Sequence, residues 1–284
     1  AKAVAALVSG ETDPLDHMEV VGRGVPQHTP TPCVAVPTTA GTGSEMTANA
    51  VIASPEHGVK ASIRGPSMLP RVALVDPLLT LGCPPDVTAA SGLDALTQCL
   101  EPLVSRFANP LTDGFCREGL RRAGTSLRRA HADGSDLAAR TDMALAASLS
   151  GLALANAKLG AVHGFAGVLG GMIAAPHGAI CAALLHATCH VNVRALRERD
   201  PGNPALARFD EAGELLSGVR GVAALLEWLS TTTGELGIPG LGELGLGEDR
   251  IDEACRKAGI SSSMKGNPID LTDEELRDIL NASR

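Results

Sequence analysis

With 284 residues, 44% of them hydrophobic, the chain can bury a sizeable core as one large domain or two ordinary ones. Aromatic residues make up 2%, with four Phe, one Trp and no Tyr, so the core must be built from Ala, Leu and Val, and an aromatic platform for nucleic acid is excluded. A net charge of -8 excludes a broad basic footprint as well, and the seven cysteines, odd in number and without a CxxC pair, read as reduced thiols of a cytoplasmic protein.

The chain opens on AKAVAALVSG, an apolar helical pattern ending at Gly10. No Met, cap or strand precedes it, as though the chain began inside an element. After a polar linker, residues 33–37 (CVAVP) read as a short buried strand that runs into TTAGTGSEMT. A strand followed by a loop of Gly, Thr and Ser suits anion binding, because small residues let the backbone approach and amides and hydroxyls donate. An ordinary βα turn has the same look. Residues 49–54, 59–63 and 71–75 supply further short strands, with Lys60 inside one of them as a candidate cofactor contact.

A boundary falls near residues 81–85, where Pro84-Pro85 interrupts the chain and Asp86 can cap a helix. Beyond it the pattern is helical. Residues 110–129 are amphipathic, with an outer face of Arg117, Arg121, Arg122, Arg128 and Arg129 that reads as solvated. Helices are also expected over residues 136–156, 211–216, 221–231, 248–257 and 272–282, the last opened by a capping box of Thr272 and Glu275. No segment reaches 18 uninterrupted apolar residues, so a membrane span is not expected, and the start lacks the pattern of a signal peptide.

The chemistry is expected in residues 160–186, GAVHGFAGVLGGMIAAPHGAICAALLH. From Met143 to Leu185 the candidates for charge are Lys158, His163 and His177. Gly170-Gly171 and Pro176 break the apolar run, so that one helix ends and another opens at His177. Both rings can then point into one cleft. Neutral imidazole in apolar surroundings suits a divalent metal, although a hydrogen-bonded core histidine is the plainer reading for either ring alone. In SGLDALTQCLEP, Asp94 and Gln98 stand four apart on one helix face among Ala, Leu, Cys and Gly, and could add a carboxylate and an amide oxygen to that cation site. His186 and His190 lie two and three turns beyond His177, too far to share its metal. His17, His28, His57 and His131 sit in polar loops and read as solvated.

Four segments taken in order, PTTAGTGSE (37–45), GLDALTQCLEP (92–102), GAVHGFAGVLGG (160–171) and APHGAICAALL (175–185), resemble the iron-containing alcohol dehydrogenase family, whose fold is similar to that of dehydroquinate synthase. SSMKGNPIDLT at the end fits one branch of it. The resemblance implies a partial Rossmann-like α/β nucleotide-binding domain over residues 1–83 and an all-α metal-binding, catalytic domain over residues 84–284. It implies Fe2+ or Zn2+ held by Asp94, Gln98, His163 and His177, and NAD(P) lined by Thr38, Thr39, Gly41, Thr42, Asn49 and Lys60. The implied partners are a small-molecule alcohol or aldehyde and a second copy of the chain, with no nucleic acid and no membrane. The function it implies is metal-dependent, NAD(P)-linked interconversion of an alcohol and its aldehyde or ketone.

This sequence departs from the family pattern in three places. Gln98 stands where members with iron usually carry His, a neutral and weaker donor. Gly167 stands where a further His is common near the nicotinamide. The family's GGGS pyrophosphate loop, which precedes the helix matched by residues 1–10, is not in this sequence, so weak cofactor binding by a piece of a longer dehydrogenase is expected. A metal-free enzyme similar to maleylacetate reductase, a lyase of the dehydroquinate synthase type and a non-catalytic paralogue stay open at this stage.

Overall fold

The structure is a computed structural model that describes residues 1–8, 10, 12–22, 30–54, 56–57 and 59–284. The first part is thin in regular structure. Helix α1 (Lys2–Leu7) precedes two small sheets: β1 (Val34–Ala35) pairs in parallel with β4 (Val72–Ala73), and β2 (Asn49–Ser54) forms an antiparallel ladder with β3 (Val59–Arg64), Asn49 opposite Arg64 and Ser54 opposite Val59. A small core of Ala6, Met18, Ile63 and Met68 joins α1 to the ladder.

Long helices follow: α2 (Pro85–Val104), α3 (Pro110–Ala132), α4 (Leu137–Ala157), α5 (Ala161–Met172), α6 (His177–Arg199), α7 (Ala205–Ser217), α8 (Val222–Glu235), α9 (Ile251–Gly259) and α10 (Asp273–Ala282). Helix α2 is the axis of this body. Every residue from Gly92 to Val104 is buried, with α3, α4 and α6 packed around it. A helix that is apolar all round has to be enclosed. Its few polar side chains are therefore drawn into the core: Thr97 satisfies itself on the Leu93 carbonyl at 2.7 Å, whereas Asp94, Gln98 and Glu101 must find partners on other elements.

Helix ends follow the expected chemistry with one correction. Pro85 takes the first position of α2, but its N-cap is Pro84, and Asp86 lies in the first turn rather than capping it. Asn109 and Thr112 cap α3 reciprocally, and Thr272 and Glu275 do the same for α10. Between α4 and α5 the chain bends by 101° at Lys158, whose φ of 62° is a left-handed turn. An 18-residue window of α6 is apolar enough to cross a membrane by length and composition, yet 78% of it is buried inside the protein.

The arginines of α3 lie on an outer face as expected, Arg121 and Arg129 exposed and Arg117, Arg122 and Arg128 half-buried, and each also meets a carboxylate. Arg117 pairs with Glu211, Arg121 with Glu118, Arg122 with Glu118 and Asp142, Arg128 with Glu235, and Arg129 with Asp136. Three of those pairs tie α3 to other helices, Arg117 to α7, Arg122 to α4 and Arg128 to α8. His17, by contrast, is buried rather than solvated, and shares a 2.7 Å hydrogen bond with Thr12 Oγ1. His57 meets Ser54 Oγ at 2.9 Å, His131 is half-buried near the end of α3, and His28 lies outside the described residues.

The loop after β1 is pressed onto α4. Lys2 Nζ donates to the carbonyls of Ser44 and Thr47 at 2.6 and 2.9 Å, and Ser148 Oγ donates to Glu45 at 2.7 Å. Gly43 has φ of 56°, and a Cβ on Gly151 of α4 would stand 2.3 Å from its carbonyl oxygen. Backbone thus lies on backbone. Alanine at 151 gains about 1 kcal/mol of helix propensity, but overlap with a main-chain oxygen costs about 1–3 kcal/mol because no rotamer relieves it. Gly151→Ala is expected to lower the thermal unfolding midpoint; an unchanged or higher midpoint would show that the loop is not seated there.

Candidate metal centre

Three helices meet at one point. Asp94 comes from the middle of α2, His163 from the first turn of α5, and His177 is the first residue of α6, set by Pro176 at the N-cap. A side chain at Gly178 would hold α6 off, since its Cβ would lie 2.3 Å from the Ala90 carbonyl oxygen of α2. His163 Nε2 stands 3.3 Å from Asp94 Oδ1, and His177 Nε2 stands 3.9 Å from the same oxygen. Cys181, one turn along α6 from His177, brings its Sγ to 3.6 Å from His177 Nε2 and 3.8 Å from His163 Nε2. The four donor atoms lie within 4.8 Å of one another.

Glu101 holds this group from behind. His163 Nδ1 donates to Glu101 Oε2 at 2.6 Å, and Val162 N donates to Glu101 Oε1 at 2.7 Å. The second bond satisfies one of the free amides at the start of α5; Asn267 Oδ1 accepts from Ala161 N at 3.1 Å and satisfies another. With Nδ1 committed to Glu101, Nε2 is the atom His163 turns to Asp94. A carboxylate behind a metal-binding imidazole fixes its tautomer and orientation in this way.

Asp94 is 2% exposed, and among the described residues its Oδ1 has no hydrogen-bond partner although two ring nitrogens face it. An orphaned carboxylate oxygen in a closed site is costly unless a cation sits against it. Burial alone would raise the pKa of Asp94, but the neighbouring His163 and His177 rings outweigh it and hold the carboxyl below the usual range. Burial pushes His177 down to about 4, against the pull of Asp94, so the ring is neutral with a free lone pair at neutral pH. Burial also acts to lower His163, but Cys181, Glu101 and Asp94 reverse it and raise the pKa well above that of ordinary imidazole. By geometry the donor set fits a divalent cation that displaces the Nε2 proton of His163: one carboxylate and two imidazoles aimed at a common point.

Gln98 lies one turn after Asp94 and is buried, but its amide nitrogen donates to the carbonyls of Gly41 and Asp94, each at 3.3 Å. It links the Gly/Thr loop to α2. Among the expected cofactor residues, Gly41 is buried in that contact, Thr38, Thr39 and Thr42 are exposed along the loop, and Asn49 is half-buried on β2. Lys60 on β3 reaches α5, where a Cβ on Gly170 would lie 3.2 Å from its Cδ, and its positive charge is among those that lower His177. Loop and β3 thus both approach the metal cluster, the loop through Gln98 and β3 through Lys60. Two participants were missed in the sequence, Glu101 and Cys181. Both were open to the spacing argument applied to Gln98: Glu101 is seven residues after Asp94, and Cys181 four after His177.

Residues 88–284 match the model of the Fe-containing alcohol dehydrogenase family, C-terminal, and residues 1–77 match that of iron-containing alcohol dehydrogenase. The chain is 33% identical over 278 residues to a choline dehydrogenase of Bacillus subtilis, covering 96% of this chain and 68% of the relative. It is 37% identical over 250 residues to a 1,3-propanediol dehydrogenase of Citrobacter freundii, covering 87% of this chain and 64% of the relative. The chain thus spans about two thirds of the length of these relatives. The structure superposes on sulfoacetaldehyde reductase from Bifidobacterium kashiwanohense in complex with NAD+ with a TM-score of 0.86 and 28% identity, covering 99% of this chain and 71% of that one.

Because Glu101 positions His163 without touching the cluster point, Glu101→Gln should weaken retention of zinc or iron by about 10–100-fold while leaving the helical content intact. Competition with a chelator measures it, and equal retention by wild type and variant would remove Glu101 from the site.

Proposed function

The chain belongs to the iron-containing alcohol dehydrogenase family, and on that premise we propose that it interconverts an alcohol and its aldehyde or ketone with an NAD(P) cofactor. The cation is held by Asp94, His163 and His177, and Fe2+ and Zn2+ both suit those donors. The observation that carries this reading is the buried, unpartnered Asp94 Oδ1 with two imidazole nitrogens turned toward it. The divalent cation, when bound, supplies the Lewis acidity that makes the hydroxyl of a substrate alcohol easier to deprotonate.

The chain's own residues do the positioning. Glu101 keeps the His163 lone pair on the side of Asp94, and Pro176 with Gly178 seats His177 where α6 meets α2. Thr38, Thr39, Gly41, Thr42, Asn49 and Lys60 form the cofactor side, with loop amides and the Lys60 ammonium offering donors to phosphate. Gln98, through Gly41, fixes how far that loop stands from the cation. Gly167, one turn after His163, presents no side chain to relay a proton, and a Cβ there would meet nothing within 4 Å. Residues 1–83 act as part of the nucleotide-binding domain and residues 84–284 as the metal-binding domain, and the active form is a homo-oligomer.

The test is consumption of NADH or NADPH with a small aliphatic aldehyde by the full chain, stripped of metal and reloaded with Fe2+ or Zn2+. Turnover should require the ion and fall roughly 100-fold or more in Asp94→Asn, since Lewis-acid stabilisation is worth several kcal/mol and about 1.36 kcal/mol is a factor of ten. Turnover that survives chelation would overturn the reading.

A further inference from the structure

The donor set contains one group that neither the family pattern nor the reading above uses. We propose that the thiolate of Cys181 is a direct ligand of the divalent cation, completing an Asp94, His163, His177 and Cys181 set in place of Gln98. This inference rests on the metal reading under Proposed function. A tetrahedral ion bonds nitrogen at about 2.0–2.1 Å, carboxylate oxygen at about 2.0–2.2 Å and sulfur at about 2.3 Å. Those bonds separate nitrogen from oxygen by about 3.3–3.5 Å, and nitrogen from sulfur by about 3.5–3.6 Å.

The edges in the structure follow that figure. His163 Nε2 to Asp94 Oδ1 is 3.3 Å, Cys181 Sγ to His177 Nε2 is 3.6 Å and Cys181 Sγ to His163 Nε2 is 3.8 Å; His177 Nε2 to Asp94 Oδ1, at 3.9 Å, is the longest of the four. Closing these four edges takes shifts of a few tenths of an ångström, and all four donor atoms lie within 4.8 Å of one another. Gln98 is placed for another task. Both groups near its amide nitrogen are carbonyl oxygens, which accept from N–H alone, so the hydrogen-bond pattern itself fixes which end of the amide is engaged there. Moving that end would release two buried carbonyls and the Gly41 loop.

On binding, the sulfur lone pair forms the bond to the cation and the thiol proton leaves to solvent, with no change of oxidation state. His177, with 31% of its side chain accessible, is the open flank, so a substrate oxygen enters as a further donor from that side. A thiolate also softens the site and favours zinc over harder ions.

The full chain, stripped and reloaded with cobalt, gives the readout. Stoichiometric uptake with a sulfur-to-cobalt charge-transfer band in the near ultraviolet is expected. The band should be lost in Cys181→Ser and Cys181→Ala, and kept in Gln98→Ala. Cobalt retention by Cys181→Ala should fall by at least about 10-fold, the lower end of what loss of even an outer partner costs. Should both variants fail to fold, X-ray absorption of the cobalt-loaded wild type decides alone, by a sulfur scatterer near the roughly 2.3 Å of a metal–thiolate bond. Stoichiometric cobalt without the band or the scatterer, or a band that survives in Cys181→Ala, overturns the inference and leaves the metal reading standing. No cobalt uptake by the wild type overturns the metal reading, and this inference with it.

Discussion

The two hydrogen bonds that Glu101 accepts, from His163 Nδ1 and from Val162 N, couple the central helix to the helix that carries the first imidazole. Asp94 and Glu101 are separated by two turns of the same buried helix, so one rigid element supplies both the donor that faces the cluster and the acceptor that stands behind His163. The ring is held between them. Because Val162 and His163 are adjacent in the first turn of α5, the same carboxyl also satisfies a helix end, and neither bond can be broken without loosening the other. Asn192 and Asn267 extend this support: Asn267 accepts from Ala161 N and from Asn192 Nδ2, and Arg106 donates to the Asn267 carbonyl.

A second set of contacts sets the distance between cluster and loop. Lys2, Glu45 with Ser148, the backbone of Gly43 on Gly151, and Gln98 on Gly41 all hold residues 37–47 in place. Of these, Lys2 belongs to α1 and holds the loop to that helix, while the others press it on α2 and α4; all involve main chain on at least one side, apart from the pair between Glu45 and Ser148. Placement therefore depends little on rotamers, which suits a cleft whose two walls come from different layers of the fold. A family that transfers hydride between bound partners needs such fixed separation.

Much of this was legible in the sequence because helical spacing does not depend on context. Asp94, His163 and His177 stand out as polar groups in apolar runs, and Pro176 and the diglycine announce where the helices break. Strands were legible in place but not in length: residues 33–37 and 71–75 shrink to two-residue pairs, since a ladder forms only where both partners align. Partners across the fold were hidden. The carboxylates that meet Arg117, Arg122 and Arg128 come from α7, α4 and α8, and Glu101 looks like an ordinary helix-end acid until α5 arrives above it. His17 sits in a polar stretch whose burial no local pattern foretells. Gln98 stands out by its helical spacing from Asp94 and its place in the family motif, whereas its hydrogen bond to the Gly41 carbonyl depends on a loop more than fifty residues earlier.

The right-angled corner at Lys158 has a consequence for the charge of the centre. By turning α5 across the end of α4 it aims the positive pole of the α5 dipole, about half an elementary charge, at Glu101. That carboxyl is thereby answered by peptide groups rather than by a lysine or arginine. Among the described residues Asp94 faces His163 and His177 and no lysine or arginine, so the negative charge on the ion's own side is left for the ion and those rings to answer.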